Sequence, residues 1–153
     1  MVFEMSKALI LTVGGSNNPI MYSINNISHD FIYFIHSKSS LKNVQEIVDN
    51  LNIDKSDYIC KEIDDFESLK ESYLSSKEII DDAKNNFSNI HVNFTGGTKP
   101  MIAGLVLAAS KENLTLSYVG SNTDKNARDK KGLGSVKGGF EELKIIKWGD
   151  KDE

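Results

Sequence analysis

The chain has 153 residues, 39% of them hydrophobic and 26% charged, which is typical of a single globular domain. The net charge of -4 argues against a partner such as long nucleic acid, whose binders need many cations to neutralise phosphates. One cysteine, Cys60, excludes an internal disulfide and a cysteine metal cluster, and no stretch approaches the ~20 apolar residues of a membrane span, so we expect a cytoplasmic protein.

Strand-like and helix-like segments alternate along the chain. Compact apolar runs predict five strands, at residues 7–14, 30–36, 57–63, 90–94 and 114–120. Helical spacing predicts four helices between them, at residues 19–27, 39–51, 65–84 and 100–111. This alternation predicts an α/β fold, a Rossmann-like three-layer sandwich with a mainly parallel sheet, followed by a C-terminal hairpin or extra strand.

We expect one domain, with its core at residues 7–120. Residues 121–139 are polar, glycine-rich and locally basic, and residues 140–153 hold a candidate last strand and an acidic tail. The basic segment is either a mobile surface hairpin or a lid that closes over an anionic ligand. Its Arg128 is the only arginine of the chain, so any bidentate guanidinium contact to a ligand must come from there.

Two similar loops follow the first and fourth predicted strands, "TVGGSNNP" at residues 12–19 and "TGGTKP" at residues 95–100. Open α/β sheets bind ligands outside the carboxyl ends of their strands, where the strand order reverses. In an order such as 3-2-1-4-5, strands 1 and 4 flank this point. Both loops would then face one crevice.

The composition of these loops suits a phosphate. Glycines let backbone N–H groups approach a ligand, and the following helices add unpaired N–H groups and partial positive charge. Hydroxyl, amide and ammonium groups supply further contacts. From the residues alone, the candidate ligand contacts are Gly14, Gly15, Ser16, Asn17, Thr95, Gly96, Gly97, Thr98 and Lys99.

Common cofactor motifs are absent from the sequence. "GGTKP" lacks the spacing of a Walker loop, and "GGSNNP" lacks the dinucleotide fingerprint. The three histidines show no metal-ligand spacing. We therefore expect neither a cofactor nor a metal, which weakens a third reading, a generic nucleotide-binding Rossmann domain.

The helix predicted after the second loop, "PMIAGLVLAA", is apolar all round and must be covered on more than one side. We expect it to meet a second subunit, with Gly104 permitting the close approach. A two-fold homodimer would bring two copies of the crevice together and favour a two-fold ligand.

"LTVGGSNNPI" and "VNFTGGTKPMIAGLVLAA" resemble the two signature regions of CARF domains, the CRISPR-associated Rossmann fold. The resemblance implies a homodimeric sensor of cyclic oligoadenylates, the second messengers of type III CRISPR antiviral systems. The ligand, cyclic tetra-adenylate or hexa-adenylate, would lie across the dimer axis. The matching positions imply contacts from the loop residues above and from Met101.

Only residues 121–153 follow the predicted core, too few for the effector domain that most CARF proteins carry. Either an effector is absent from this chain, or the chain acts alone as a ring nuclease that opens the messenger to a 2′,3′-cyclic phosphate without metal. In that second case Lys99 and Thr98 would stabilise charge on phosphate and Ser16 would position the ribose. The lack of a clear general base favours binding.

Overall fold

A computed structural model describes residues 6–112, 114–121 and 141–147, with side chains up to residue 120. Its strands form one six-stranded sheet. They are β1 (Lys7–Val13), β2 (Phe31–Ser37), β3 (Tyr58–Ile63), β4 (Asn89–Asn93), β5 (Thr115–Ser121) and β6 (Glu141–Lys147). The helices are α1 (Asn18–Asn26), α2 (Leu41–Leu51), α3 (Leu69–Asn86) and α4 (Lys99–Ser110), with a single 3₁₀ turn at Lys55–Asp57.

The sheet has the order β3-β2-β1-β4-β5-β6, which confirms the predicted fold class. The first five strands are parallel, and β6 returns antiparallel to β5. The order runs outward from β1 to β3 on one side and from β4 to β6 on the other. The reversal therefore lies between β1 and β4, as the sequence predicted.

Two hydrophobic clusters, one on each face of the sheet, make up the core. Alternate residues of the central strands point to opposite faces. Leu9 and Leu11 of β1 pack with α1 and α2, whereas Ala8 and Ile10 pack with α3 and α4. Because both faces are covered, the central strands are largely apolar, as parallel strands generally are, and their buried polar residues Thr12 and Asn93 lie towards the carboxyl ends.

The third helix begins later than predicted. The expected start at residue 65 is wrong, because the chain turns there and α3 begins at Leu69. The Ser68 hydroxyl accepts a hydrogen bond from the Glu71 N–H, and the Glu71 carboxylate accepts from the N–H groups of Asp64 and Asp65. The sequence "SLKE" has the pattern of a capping box, but only its serine half forms, because the Ser68 N–H donates to the Asp65 carbonyl and not to Glu71.

The prediction that Gly104 contacts a second subunit is also wrong, since its close neighbour is α3 of the same chain. A methyl group added at Gly104 would lie 2.6 Å from the Tyr73 backbone nitrogen and 2.7 Å from the Ser72 carbonyl carbon. The two backbones therefore nearly touch at this glycine. The apolar character of α4 is accounted for partly by α3 and partly by the sheet.

Two sequence predictions fall outside the described residues. They are the lid or hairpin predicted at residues 121–139, of which only Ser121 is described, as the end of β5, and the ligand contact at Arg128. In the part of the chain that the structure describes, no helix is both long and apolar enough to cross a membrane.

Candidate functional site

The two loops are in direct backbone contact at the carboxyl ends of β1 and β4. We call residues 14–17 loop 1 and residues 94–98 loop 2. A methyl group at Gly14 would lie 2.7 Å from the backbone nitrogen of Gly97, and one at Gly96 would lie 2.8 Å from the Thr12 carbonyl oxygen. Gly97 has a φ of +104°, which side chains rarely adopt. The two loops can meet because Gly14 and Gly96 carry no Cβ atom.

Several backbone N–H groups of the loops are available to a ligand. Within the described residues, the N–H groups of Gly15, Ser16, Gly96 and Gly97 have no hydrogen-bond acceptor. Gly15 and Ser16 are exposed. Unpaired N–H groups in adjoining loops form a concave surface that favours an anion.

The amino ends of α1 and α4 add positive potential to the same place. Neither helix carries an acidic residue in its first turn. Lys99 is the first residue of α4, is exposed, and has no ion-pair partner among the described residues. A cation at the positive end of a helix is unfavourable by itself. A bound anion would compensate both the charge of Lys99 and the partial positive charge at the amino end of α4.

The side chain of Asn17 is used within the protein. Its Nδ2 donates to Glu46 Oε1 at 2.8 Å, and its Oδ1 accepts from Asn43 Nδ2 at 2.9 Å. Asn43 Nδ2 also lies 3.4 Å from the Gly15 carbonyl oxygen. Asn17 therefore ties loop 1 to α2, and its backbone is what remains for a ligand.

The two threonines of loop 2 make structural hydrogen bonds. Thr98 caps α4: its hydroxyl donates to the Phe66 carbonyl at 2.7 Å and accepts from the Met101 N–H at 3.3 Å. The Thr95 hydroxyl accepts from the Val119 N–H at 2.8 Å and keeps its own proton for donation. Because the Thr98 hydroxyl proton is donated to Phe66, Thr98 can reach an anion only through its N–H. Met101, on the first turn of α4, is buried against Gly97.

Below loop 2 lies a buried polar cluster that sequence reasoning missed. Asn93 donates from Nδ2 to Ser117 Oγ at 3.0 Å, and its Oδ1 accepts from the Thr95 N–H at 3.3 Å. His91 Nε2 lies 2.6 Å from the same Ser117 oxygen. Burial lowers the pKa of His91 to about 4, so the ring is neutral near pH 7. An asparagine inside the apolar run "HVNF" was the available signal.

One buried hydroxyl beside the loops is unpaired. Thr12 Oγ1 has no partner among the described residues, and the Thr12 Cβ lies 3.3 Å from where a Gly97 Cβ would be. A buried hydroxyl without a partner costs free energy. This unfavourable free energy arises directly beneath the contact between the loops.

A cavity of about 560 Å³ lies at the opposite edge of the sheet, beside the amino ends of β1 and β4. It includes Lys7 and Lys84 but is bounded by the carboxyl ends of α1 and α3. Lys84 is paired with Glu112. Helix carboxyl ends carry partial negative charge and disfavour phosphate. The loops are therefore the better anion site.

The described side chains offer no metal centre, since no three of His, Cys, Asp or Glu are grouped there as ligands would be. The chemistry available at the loops is hydrogen bonding from N–H and hydroxyl groups together with one ammonium. This arrangement can hold and orient an anionic ligand.

Sequence comparison gives the family. The profile of the Card1 CARF domain matches residues 19–131, more than half of the chain. The chain therefore belongs to the CARF domain family. The matched range contains loop 2, while loop 1 precedes it. No curated protein matches the chain.

Solved structures show the same fold at low sequence identity. VC1899 from Vibrio cholerae has a TM-score of 0.68 and 13% identity over 77% of this chain and 32% of its own. Can2 from Sulfobacillus thermosulfidooxidans, in complex with cyclic tetra-adenylate, has a TM-score of 0.59 and 16% identity over 73% of this chain and 31% of its own.

Csm6 from Enterococcus italicus, bound to cyclic hexa-2′-fluoro-hexa-dAMP, has a TM-score of 0.56 and 14% identity. The match covers 76% of this chain and 34% of Csm6. The chain thus spans about a third of the length of these structures.

Proposed function

We propose that this chain is the sensor domain of a type III CRISPR antiviral effector and binds a cyclic oligoadenylate. The observation that carries the proposal is the backbone contact between loops 1 and 2, which joins two sets of unpaired N–H groups at the reversal of the sheet. Membership of the CARF family supports this, as do similar structures described with cyclic oligoadenylates, including a type III CRISPR defence DNA nuclease.

Cyclic tetra-adenylate is our proposed ligand, bound by a homodimer. A ring of four identical nucleotides can share a two-fold axis with two identical subunits, so each loop pair would contact equivalent phosphates. The complex of Can2 with this ring supports the choice. We propose that residues 1–153 form one sensor domain.

The roles of the contacts follow from their environment. Lys99 supplies the charge, and the backbone of residues 14–16 and 96–98 supplies N–H donors. Ser16 and Thr95 supply hydroxyl protons. The Asn17 side chain is hydrogen-bonded to α2 and Met101 is buried. We propose that both residues stabilise the loops and that neither offers a free polar side-chain group to the ligand. Arg128 remains a proposed contact from outside the described residues.

Mass spectrometry tests the proposal directly. Purified protein is incubated with cyclic tetra-adenylate, and both the retained and the released nucleotide are identified. We expect the intact ring to be retained by the protein. If the tetra-adenylate is neither retained nor cleaved, the hexa-adenylate is tried, and failure with both rings contradicts the proposal.

The same spectra separate binding from catalysis. Linear products ending in a 2′,3′-cyclic phosphate would make the protein a ring nuclease, with Lys99, Thr98 and Ser16 as its first candidates. For Thr98 this role would rest on the N–H, because its hydroxyl proton is donated to Phe66. An intact ring excludes this alternative.

A further inference from the structure

Each loop is held by a buried asparagine from a neighbouring element. Asn43 of α2 supports loop 1 and is 7% exposed, and Asn93 at the end of β4 supports loop 2 and is fully buried. A primary amide is expensive to bury unless its hydrogen bonds are made. Neither is needed to fill an apolar core, so their position under the loops calls for a reason.

Asn93 fixes the start of loop 2 through both ends of its amide. One end holds the Thr95 N–H, and the other donates to Ser117 on β5, which also bonds His91. The Thr95 hydroxyl is bonded in turn by the Val119 N–H. Thr95 is thus held at two points. The glycines that follow it begin from a fixed position.

Asn43 does the same for loop 1 from α2, which packs on the face of the sheet to which Asn93 also points. Its Nδ2 reaches Asn17 Oδ1 at 2.9 Å and the Gly15 carbonyl at 3.4 Å, and Asn17 continues the chain to Glu46. The connection runs from α2 to a loop whose own residues Gly15 and Ser16 are exposed. This connection adds a restraint from α2 to the contact that loop 1 makes with loop 2.

We propose that Asn43 and Asn93 are positioning residues that keep both loops in the ligand-binding arrangement before the ligand arrives. Glycine-rich loops have many accessible conformations, and ordering them on binding costs free energy. When only a fraction of molecules is competent, the apparent affinity falls by that fraction. The inference rests on the proposed function, because it concerns binding at that same site.

Binding kinetics with cyclic tetra-adenylate test this inference, with the hexa-adenylate used if the wild-type protein prefers it. Asn93→Ala and Asn43→Ala reduce the competent fraction, so we expect the association rate constant to fall about three- to tenfold, the effect of one typical hydrogen bond. The dissociation rate constant should stay nearly unchanged. Lys99→Ala removes a direct contact and should instead raise the dissociation rate constant.

Matched variants control for general effects. Asn50→Ala changes an exposed asparagine on the same helix as Asn43. Ser117→Ala removes the hydroxyl that holds Asn93, whereas Ser76→Ala removes a buried hydroxyl on α3 that has no partner among the described residues. Of these three variants, only Ser117→Ala should slow association of the ligand. If Asn93→Ala does not fold, the comparison of Ser117→Ala with Ser76→Ala tests the role of Asn93 in its place.

Hydrogen exchange gives a second readout without ligand. The Thr95 amide should exchange faster in Ser117→Ala than in Ser76→Ala at equal thermal stability. Wild-type association rates in Asn43→Ala and Ser117→Ala would overturn this inference while leaving the proposed function intact. If wild-type protein binds neither ring, the proposed function itself fails, and this inference fails with it.

Discussion

The contact between Gly14 and Gly97 depends on the absence of a side chain at Gly14, since an added methyl group there would lie 2.7 Å from the Gly97 nitrogen. Gly97 also has a φ of +104°, so alanine there is strained whatever space surrounds it. Glycine patterns revealed both loops in the sequence, because a turn at a strand end leaves a local signal. The asparagines below them left little signal, since Asn93 and Ser117 are 24 residues apart and only the folded sheet joins them.

Gly14→Ala should destabilise the protein by about 1–3 kcal/mol, the usual range for overpacking, because its methyl group would meet the Gly97 backbone. The neighbouring Gly15→Ala is the control, since nothing lies within 4 Å of its added methyl group. We expect that control to stay within about 0.5 kcal/mol of wild type. Urea unfolding of both variants measures the difference, and equal stabilities would contradict the contact.

His91 should make stability depend on pH. Burial lowers the pKa of the folded-state His91 to about 4 from the ordinary 6.5, so between these values the unfolded chain binds more protons. Its contribution is complete above pH 6.5 and is lost as the pH falls towards 4. For this partly exposed ring we expect a loss of about 1–2 kcal/mol.

The variant His91→Gln keeps a polar partner for Ser117 without a titrating ring. Unfolding free energies of wild type and variant are compared at pH 7 and pH 5. The variant should lose less stability over this interval. Parallel losses in the two proteins would show that His91 is not the responsible group.

At the scale of elements, the strands and three of the helices agree with the sequence pattern to within one or two residues, because burial on two faces makes that pattern strong. The interface between α3 and α4 was harder to predict. Its buried positions on α3 include Ser72, Ser75 and Ser76, whereas the large apolar Phe66, within the helix predicted at residues 65–84, lies before α3 and is 40% exposed. Close approach at Gly104 leaves room only for small side chains, which a search for large apolar residues overlooks.

Gly104→Ala should weaken the packing of α3 on α4. The added methyl group meets the backbone of Ser72 and Tyr73, so the helices must separate, and this outweighs the gain of about 1 kcal/mol in helix propensity. We expect a net loss of about 1–3 kcal/mol in the free energy of unfolding. The exposed Ser110→Ala on the same helix is the control. A Gly104→Ala variant more stable than wild type would refute the close approach.

At the scale of the whole molecule, α4 still carries exposed apolar surface after α3 has covered one side. Leu107 is 47% exposed, and Ala103 beside it on the helix is exposed as well. We keep this face as the proposed dimer contact, now without Gly104. Exposed apolar residues that share one helix face are typical of association surfaces.

Leu107→Glu should convert the proposed dimer to a monomer, because a carboxylate would be buried without a partner in the contact. Ile59→Glu is the matched control, since Ile59 is 51% exposed on β3 at the far edge of the sheet. Sedimentation velocity distinguishes monomer from dimer. A Leu107→Glu variant that sediments like wild type would place the contact elsewhere.

The backbone contact between the loops also limits how such a domain can be redesigned. A side chain at Gly14 or Gly96, or an insertion beside either glycine, would displace the opposite segment, so the two loops cannot be exchanged one at a time. Grafting the loops of another CARF domain onto this sheet should succeed only when both are transferred together. Ring preference would then be inherited as a single unit, although its two halves lie about half the chain apart in sequence.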